Sequence, residues 1–225
     1  MDLLKKIEDK LRDNGIVLFG TGFVEDKISS DLKSMPYAIS IGMRYPYTII
    51  DQIKDGPTIT YFHQYRTMNA NLDRCAIIAQ SILLSNGYEA MYVPASQSDP
   101  KADYSGIFSH KIAAIRAGLG FIGKNNLFLS NEFGPAVRLS TILTDMELDI
   151  SAERISGCND CNECFSACPA GAIFGVMPNE NYDRKEIFSP EKCSYYMSTK
   201  FKDMGRGSVC GICIGVCPYS KPNSK

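Results

Sequence analysis

The sequence predicts a mixed α/β domain over residues 1–150 and a small cysteine-rich α+β domain over residues 151–225. Three observations carry this. Apolar runs of strand length alternate with segments of helical period up to about residue 150. From Ser151 onward they give way to short turns between cysteines. Of nine cysteines, only Cys75 lies before residue 150.

The elements follow in order. Leu3, Leu4, Ile7 and Leu11 fall at helical spacing, and Asn14-Gly15 is a helix stop. Residues 16–19 and 37–41 read as short buried strands. Residues 59–84 read as a long helix with Leu72, Ala76, Ala79 and Leu83 on one side, ending at Asn86-Gly87. Cys75 sits among these apolar residues and reads as a small core side chain. A strand over 88–93 is stopped by Pro94, and a helix over 108–117 has Ser109 at its cap position. Residues 127–129 and 137–143 are expected to form a hairpin around the loop at 131–135.

Charge is balanced, with 24 basic and 25 acidic residues among 225. This excludes a broad electrostatic grip on nucleic acid or an acidic membrane. The helical pattern of the first residues is unlike a signal peptide, and no apolar run is long enough to span a bilayer. A soluble, cytoplasmic protein with no membrane association is expected.

The cysteine pattern is the most specific signal. Cys158, Cys161, Cys164 and Cys168, followed by Pro169, spell C-x₂-C-x₂-C-x₃-C-P. In the bacterial ferredoxin run of this spacing, three thiolates grip one iron–sulfur cluster and the fourth reaches the other. Downstream stand Cys193 and then Cys210, Cys213 and Cys217 before Pro218. A regular second run would begin at position 207, which is Gly207, so Cys193 is expected to supply the missing ligand. By the crossed rule, Cys158, Cys161, Cys164 and Cys217 hold one 4Fe-4S cluster, and Cys168, Cys193, Cys210 and Cys213 hold the other. Structural zinc also uses C-x₂-C pairs, but the two C-x₃-C-P endings favour iron–sulfur.

The stretch GLGFIG, with Gly118, Gly120 and Gly123, spells a dinucleotide fingerprint. That fingerprint needs a strand before the first glycine and a helix after the last. Here a helix comes before and the expected hairpin after, so a nucleotide loop is not predicted. The glycines read as a helix end and a sharp turn. Lys124, Asn125 and Asn126 follow, and free backbone N–H groups beside a cation suit an anionic tail.

AGLGFIGKNN, then FGPAVRLSTILTD, then the double cysteine run, resembles the epoxyqueuosine reductase family. Reductive dehalogenases share its general plan. The resemblance covers about residues 61–219, and the segment Phe108-Ser-His-Lys111 resembles a compact branch. It implies a nitroreductase-like domain that binds cobalamin, and a ferredoxin-like domain that passes electrons to the cobalt. A two-electron reduction of an organic substrate would follow, which in the namesake enzymes removes an epoxide oxygen from a modified tRNA base. On this resemblance Gly118, Gly120, Gly123, Lys124 and Asn125 are assigned to the corrin's anionic tail.

Two departures narrow the expectation. The chain stops at Lys225 without the helical-repeat extension of the tRNA-acting enzymes, which argues against tRNA. The family's acidic proton donor maps onto Tyr104, with Asp103 one position away, and Tyr104 is the candidate donor since dehalogenase relatives use a tyrosine. His63, in Tyr61-Phe-His-Gln-Tyr65, resembles a family histidine, and His110 in the first turn of its helix is expected to be neutral. The implied partners are an external ferredoxin- or flavodoxin-type electron donor and a small-molecule or modified-base substrate. The competing readings are an electron carrier with an enlarged N-terminal domain and a non-catalytic binding module.

Overall fold

The computed structural model describes residues 2–97, 104–150, 157–179 and 183–220. It separates into two compact units. One comprises Met1–Arg44, Thr67–Leu119 and Arg138–Arg154, and the other Tyr45–Arg66, Gly120–Val137 and Ile155–Lys225. The cysteine-rich chain from Ile155 onward thus shares its unit with two earlier segments that carry no cysteine.

The first unit is built on a four-stranded sheet of β1 (Leu18–Phe23), β2 (Tyr37–Arg44), β3 (Ala90–Val93) and β6 (Val137–Thr144), in the order β1-β2-β6-β3. β1 pairs antiparallel with β2, and β3 with β6. Side chains that alternate along a strand reach opposite faces, and the core divides accordingly. Ile39, Ile41 and Ile142 pack with Ile7 and Leu11 of α1 (Leu3–Arg12) and with Leu72, Cys75, Ala76, Ala79 and Leu83 of α3 (Ile59–Ser85). Ala38 and Leu143 instead join Val93, Phe108 and Ala113 of α4 (His110–Arg116). The sheet therefore has helices on both faces. Asp2 caps α1 by accepting from the Leu4 N–H at 3.2 Å. Cys75 is fully buried, as its apolar surroundings implied.

Two expectations are corrected. β1 runs on through Gly20 and Gly22, where glycine reads as a strand breaker. A Cβ at Gly22 would stand 2.7 Å from the Arg116 Cβ and 2.8 Å from its carbonyl carbon, so the glycine admits the end of α4 onto the strand. The hairpin expected between 127–129 and 137–143 does not form. β5 (Phe128–Ser130) pairs antiparallel with a strand not foreseen, β4 (Gly120–Ile122), while β6 lies inside the large sheet. Ser109 stands at the N-cap of α4, but its hydroxyl makes no capping bond.

His110 joins strand ends. Its Nε2 lies 2.9 Å from the Pro94 carbonyl and its Nδ1 2.9 Å from the Thr141 hydroxyl. The carbonyl can only accept, so Nε2 carries the proton and Nδ1 accepts from Thr141. Burial lowers the ring's pKa from 6.5 to about 4, against the opposing pull of the Pro94 carbonyl. The imidazole is neutral, held so by burial more than by the helix terminus. In the unfolded chain the ring binds its proton near 6.5, so the folded unit loses stability as pH falls from there through about 4. By pH 5 the loss is about 2 kcal/mol. Nitrogen chemical shifts of the two histidines test this: the His110 ring stays neutral at pH 5.5, and protonation above pH 6 contradicts it.

Candidate iron–sulfur site

The second unit contains α2 (Tyr47–Asp51), β4, β5 and four short helices: α5 (Glu163–Ala167), α6 (Arg184–Ile187), α7 (Pro190–Lys200) and α8 (Ile212–Gly215). Cys164 lies in α5, Cys193 in α7 and Cys213 in α8. Ser189 caps α7 through the Lys192 N–H, with Pro190 at the first helical position.

Mutual electrostatics sorts the thiols. Cys217 is pushed up to about 12, first by burial and then by Cys158, Cys164 and Cys161. Cys164 is pushed up to about 11 by burial, Cys158 and Cys161. Cys193 is pushed up to about 12 by burial, then by Cys210 and Cys168. Burial drives Cys213 well above the usual thiol range, with Cys210 and Cys193 the next largest causes and Cys164 and Cys168 after them. These influences run mostly within the two sets that the crossed rule expects, and Cys164 also acts on Cys213. Among the described residues, no three His, Cys, Asp or Glu side chains are placed to hold a single metal ion.

A buried set of mutually repelling thiolates is unfavourable until a cation joins it, and metal ligation deprotonates a thiol outright. Backbone N–H groups already point at the sulfurs: Lys124 to Cys158, Phe165 to Cys164, Ile212 to Cys210 and Tyr219 to Cys217. The donor set fits two 4Fe-4S clusters.

Gly207 explains the broken second run. Its φ is 70°, and a Cβ there would stand 2.5 Å from the Ser198 Cα and 2.6 Å from the Met197 carbonyl oxygen, both in α7. No side chain fits at 207, whereas Cys193 is carried by the helix that occupies the space.

The glycine string is also resolved. Gly118, at φ 68°, ends α4 and donates to the Ile115 carbonyl at 2.9 Å. Gly120 opens β4, where a Cβ would lie 1.9 Å from the Leu129 carbonyl oxygen. Gly123 starts the β4–β5 turn, donates to the Leu127 carbonyl at 3.0 Å, and presents its missing Cβ 3.2 Å from the Cys158 sulfur. The Gly118 and Gly123 N–H groups are thus engaged within the chain. Lys124, 6% exposed, donates to Asn162 Oδ1 at 3.0 Å. Asn125, 4% exposed, accepts from the Leu127 N–H and donates from Nδ2 to the Cys213 carbonyl at 3.4 Å. This loop does not fit the anionic tail of cobalamin. It packs against the cysteines.

Tyr104 is half-buried in the loop before α4, with a left-handed backbone at φ 57°. Asp103 lies outside the described residues. His63 is exposed on α3, its ring edge-on to Phe62 at 5.5 Å. Tyr219 was not singled out from sequence, yet its hydroxyl accepts from the Cys158 N–H at 3.4 Å and its ring meets Phe121 edge-on. Its place directly after the C-P ending is the one signal that marks it.

Residues 157–220 match the 4Fe-4S double cluster binding domain. The chain is 23% identical over 219 residues to epoxyqueuosine reductase of Listeria monocytogenes, with 89% of this chain and 54% of that protein covered. It is 34% identical over 124 residues to tetrachloroethene reductive dehalogenase of Dehalobacter restrictus, covering 48% of this chain and 21% of that one. A solved catabolic reductive dehalogenase in complex with 3-bromo-4-hydroxybenzoic acid shares the fold at TM-score 0.75 and 20% identity, over 98% of this chain and 32% of that one. A reductive dehalogenase structure described for B12-dependent dehalogenation gives 0.71 at 20% identity, over 98% and 32%. Epoxyqueuosine reductase from Streptococcus thermophilus gives 0.61 at 22% identity, over 98% and 66%. The chain spans about half the length of the Listeria protein and about a fifth of the Dehalobacter one. No helix among the described residues is long and apolar enough to cross a membrane.

The crossed quartets make one variant decisive. Cys193→Ala is expected to lower iron from about eight to about four atoms per chain, by loss of one four-iron cluster. Retention of both clusters in iron and sulfide analysis contradicts the assignment of Cys193.

Proposed function

From a chain that is epoxyqueuosine reductase- and reductive dehalogenase-like, with an α/β domain and a 4Fe-4S double-cluster region, we propose an iron–sulfur reductase. The carrying observation is the match of residues 157–220, with their eight cysteines, to the 4Fe-4S double cluster binding domain. Cys158, Cys161, Cys164 and Cys217 would hold one cluster, and Cys168, Cys193, Cys210 and Cys213 the other. Such clusters, when bound, store and transfer single electrons. The electrons come from an external ferredoxin- or flavodoxin-type donor and leave to an acceptor that reduces a small organic molecule or a modified base.

The protein's own residues hold this apparatus in place. Backbone N–H groups of Lys124, Phe165, Ile212 and Tyr219 donate to the ligand sulfurs, and the β4–β5 turn packs against Cys158. Cobalamin is the acceptor that likeness to B12-dependent dehalogenation supports. No residue is assigned to the corrin. Tyr104 is the proposed proton donor: a non-glycine residue with left-handed backbone is a strained feature of the kind that collects at active sites. The engaged 118–125 loop favours the second reading, an electron carrier whose α/β unit binds something other than a corrin.

Two measurements separate these. The chain, reconstituted without oxygen and titrated with cobalamin, is expected to bind it at micromolar concentration and reduce its cobalt, read in the visible spectrum. No binding leaves the carrier. With 3-bromo-4-hydroxybenzoic acid as probe substrate, Tyr104→Phe is expected to lower turnover by roughly 10²-fold or more. Unchanged turnover removes Tyr104 as the donor.

A further inference from the structure

Lys124 has a burial that its protein partners do not explain. It is 6% exposed, and its ammonium donates to a neutral amide oxygen of Asn162 at 3.0 Å. Among the described residues, no carboxylate pairs with it. Lysine is almost never buried this far unpaired, because desolvating an ammonium without a counter-charge is unfavourable. Asn162 stands between Cys161 and Cys164, and the Lys124 N–H donates to the Cys158 sulfur. The turn that carries Lys124 is pressed onto that sulfur at Gly123. The ammonium is thus held by the residue that follows Cys161, and its charge acts on the Cys158 thiol.

We propose that Lys124 is the built-in counter-ion of the cluster held by Cys158, Cys161, Cys164 and Cys217, and that it raises this cluster's reduction potential above that of its neighbour. The inference rests on the two-cluster reading and deepens it. A four-iron cluster with four thiolate ligands is net negative and gains one more negative charge on reduction. A fixed cation beside it stabilises the reduced form more than the oxidised form, and local charge and hydrogen bonds to sulfur are the levers that set such potentials. Among the described residues, the side chains that act on Cys193, Cys210 and Cys213 are all cysteines. In the electron balance, the donor is oxidised by one electron and the cluster core is reduced by one. The electron enters through either cluster and comes to rest on the one beside Lys124.

The test is a potentiometric titration of the reconstituted full chain, followed by electron paramagnetic resonance. Lys124→Gln is expected to lower the reduction constant of one cluster at least tenfold, which is about 59 mV for a one-electron couple, and to leave the other unmoved. Lys124→Arg, which keeps the charge, restores most of the shift. If Lys124→Gln fails to assemble both clusters, Asn162→Asp decides. Asn162 is exposed, and a carboxylate there neutralises the ammonium and lowers the same potential. Two assembled clusters with both potentials unmoved in either variant overturn the proposal. A wild-type chain that takes up no iron or sulfide overturns the two-cluster reading itself.

Discussion

Negative charge gathered inside a small folded unit is the constraint on which the rest of this structure depends. Cys158, Cys164 and Cys217 are each less than 10% exposed, and the thiols crowd into two sets. Burial and neighbouring sulfur both oppose the thiolate form, so the fold around them is a frame that awaits a cationic core. The short helices, the N–H groups aimed at sulfur and the buried Lys124 all answer that one electrostatic problem. Ligation and folding are expected to be coupled here, since binding energy at such sites is also folding energy.

The same constraint accounts for irregularities that look accidental in the sequence. The second cysteine run is broken because α7 occupies the space beside Gly207, and the helix that blocks the position carries Cys193. The stretch 118–123 spells a nucleotide loop for reasons unrelated to nucleotides. Gly118 ends a helix, Gly120 admits the β5 backbone, and Gly123 lets the turn reach Cys158. One close approach after another selects glycine, and the resulting spacing happens to match a known fingerprint.

Elements with strong period were legible in advance. The amphipathic α1, the long α3 and the apolar core strands β2 and β6 stand close to where the pattern placed them. Pairing was less legible. β4 has three residues, one of them glycine, which is too short for any periodic signal, and with β4 unseen β5 was given the wrong partner. β1 was cut short because Gly20 and Gly22 record contacts with a distant helix, which local propensity does not contain. Lys124 and Asn125 stand out in the sequence, and the structure gives both side chains partners within the chain. Sequence shows a cation after a glycine turn, and only the fold shows that a cysteine sulfur lies beside it.

The account stands or falls on what the thiols hold. Iron and acid-labile sulfide, measured on the chain purified and reconstituted without oxygen, test this most directly. About eight of each per chain are expected from two four-iron clusters. Zinc bound in place of iron, with no labile sulfide, would contradict it.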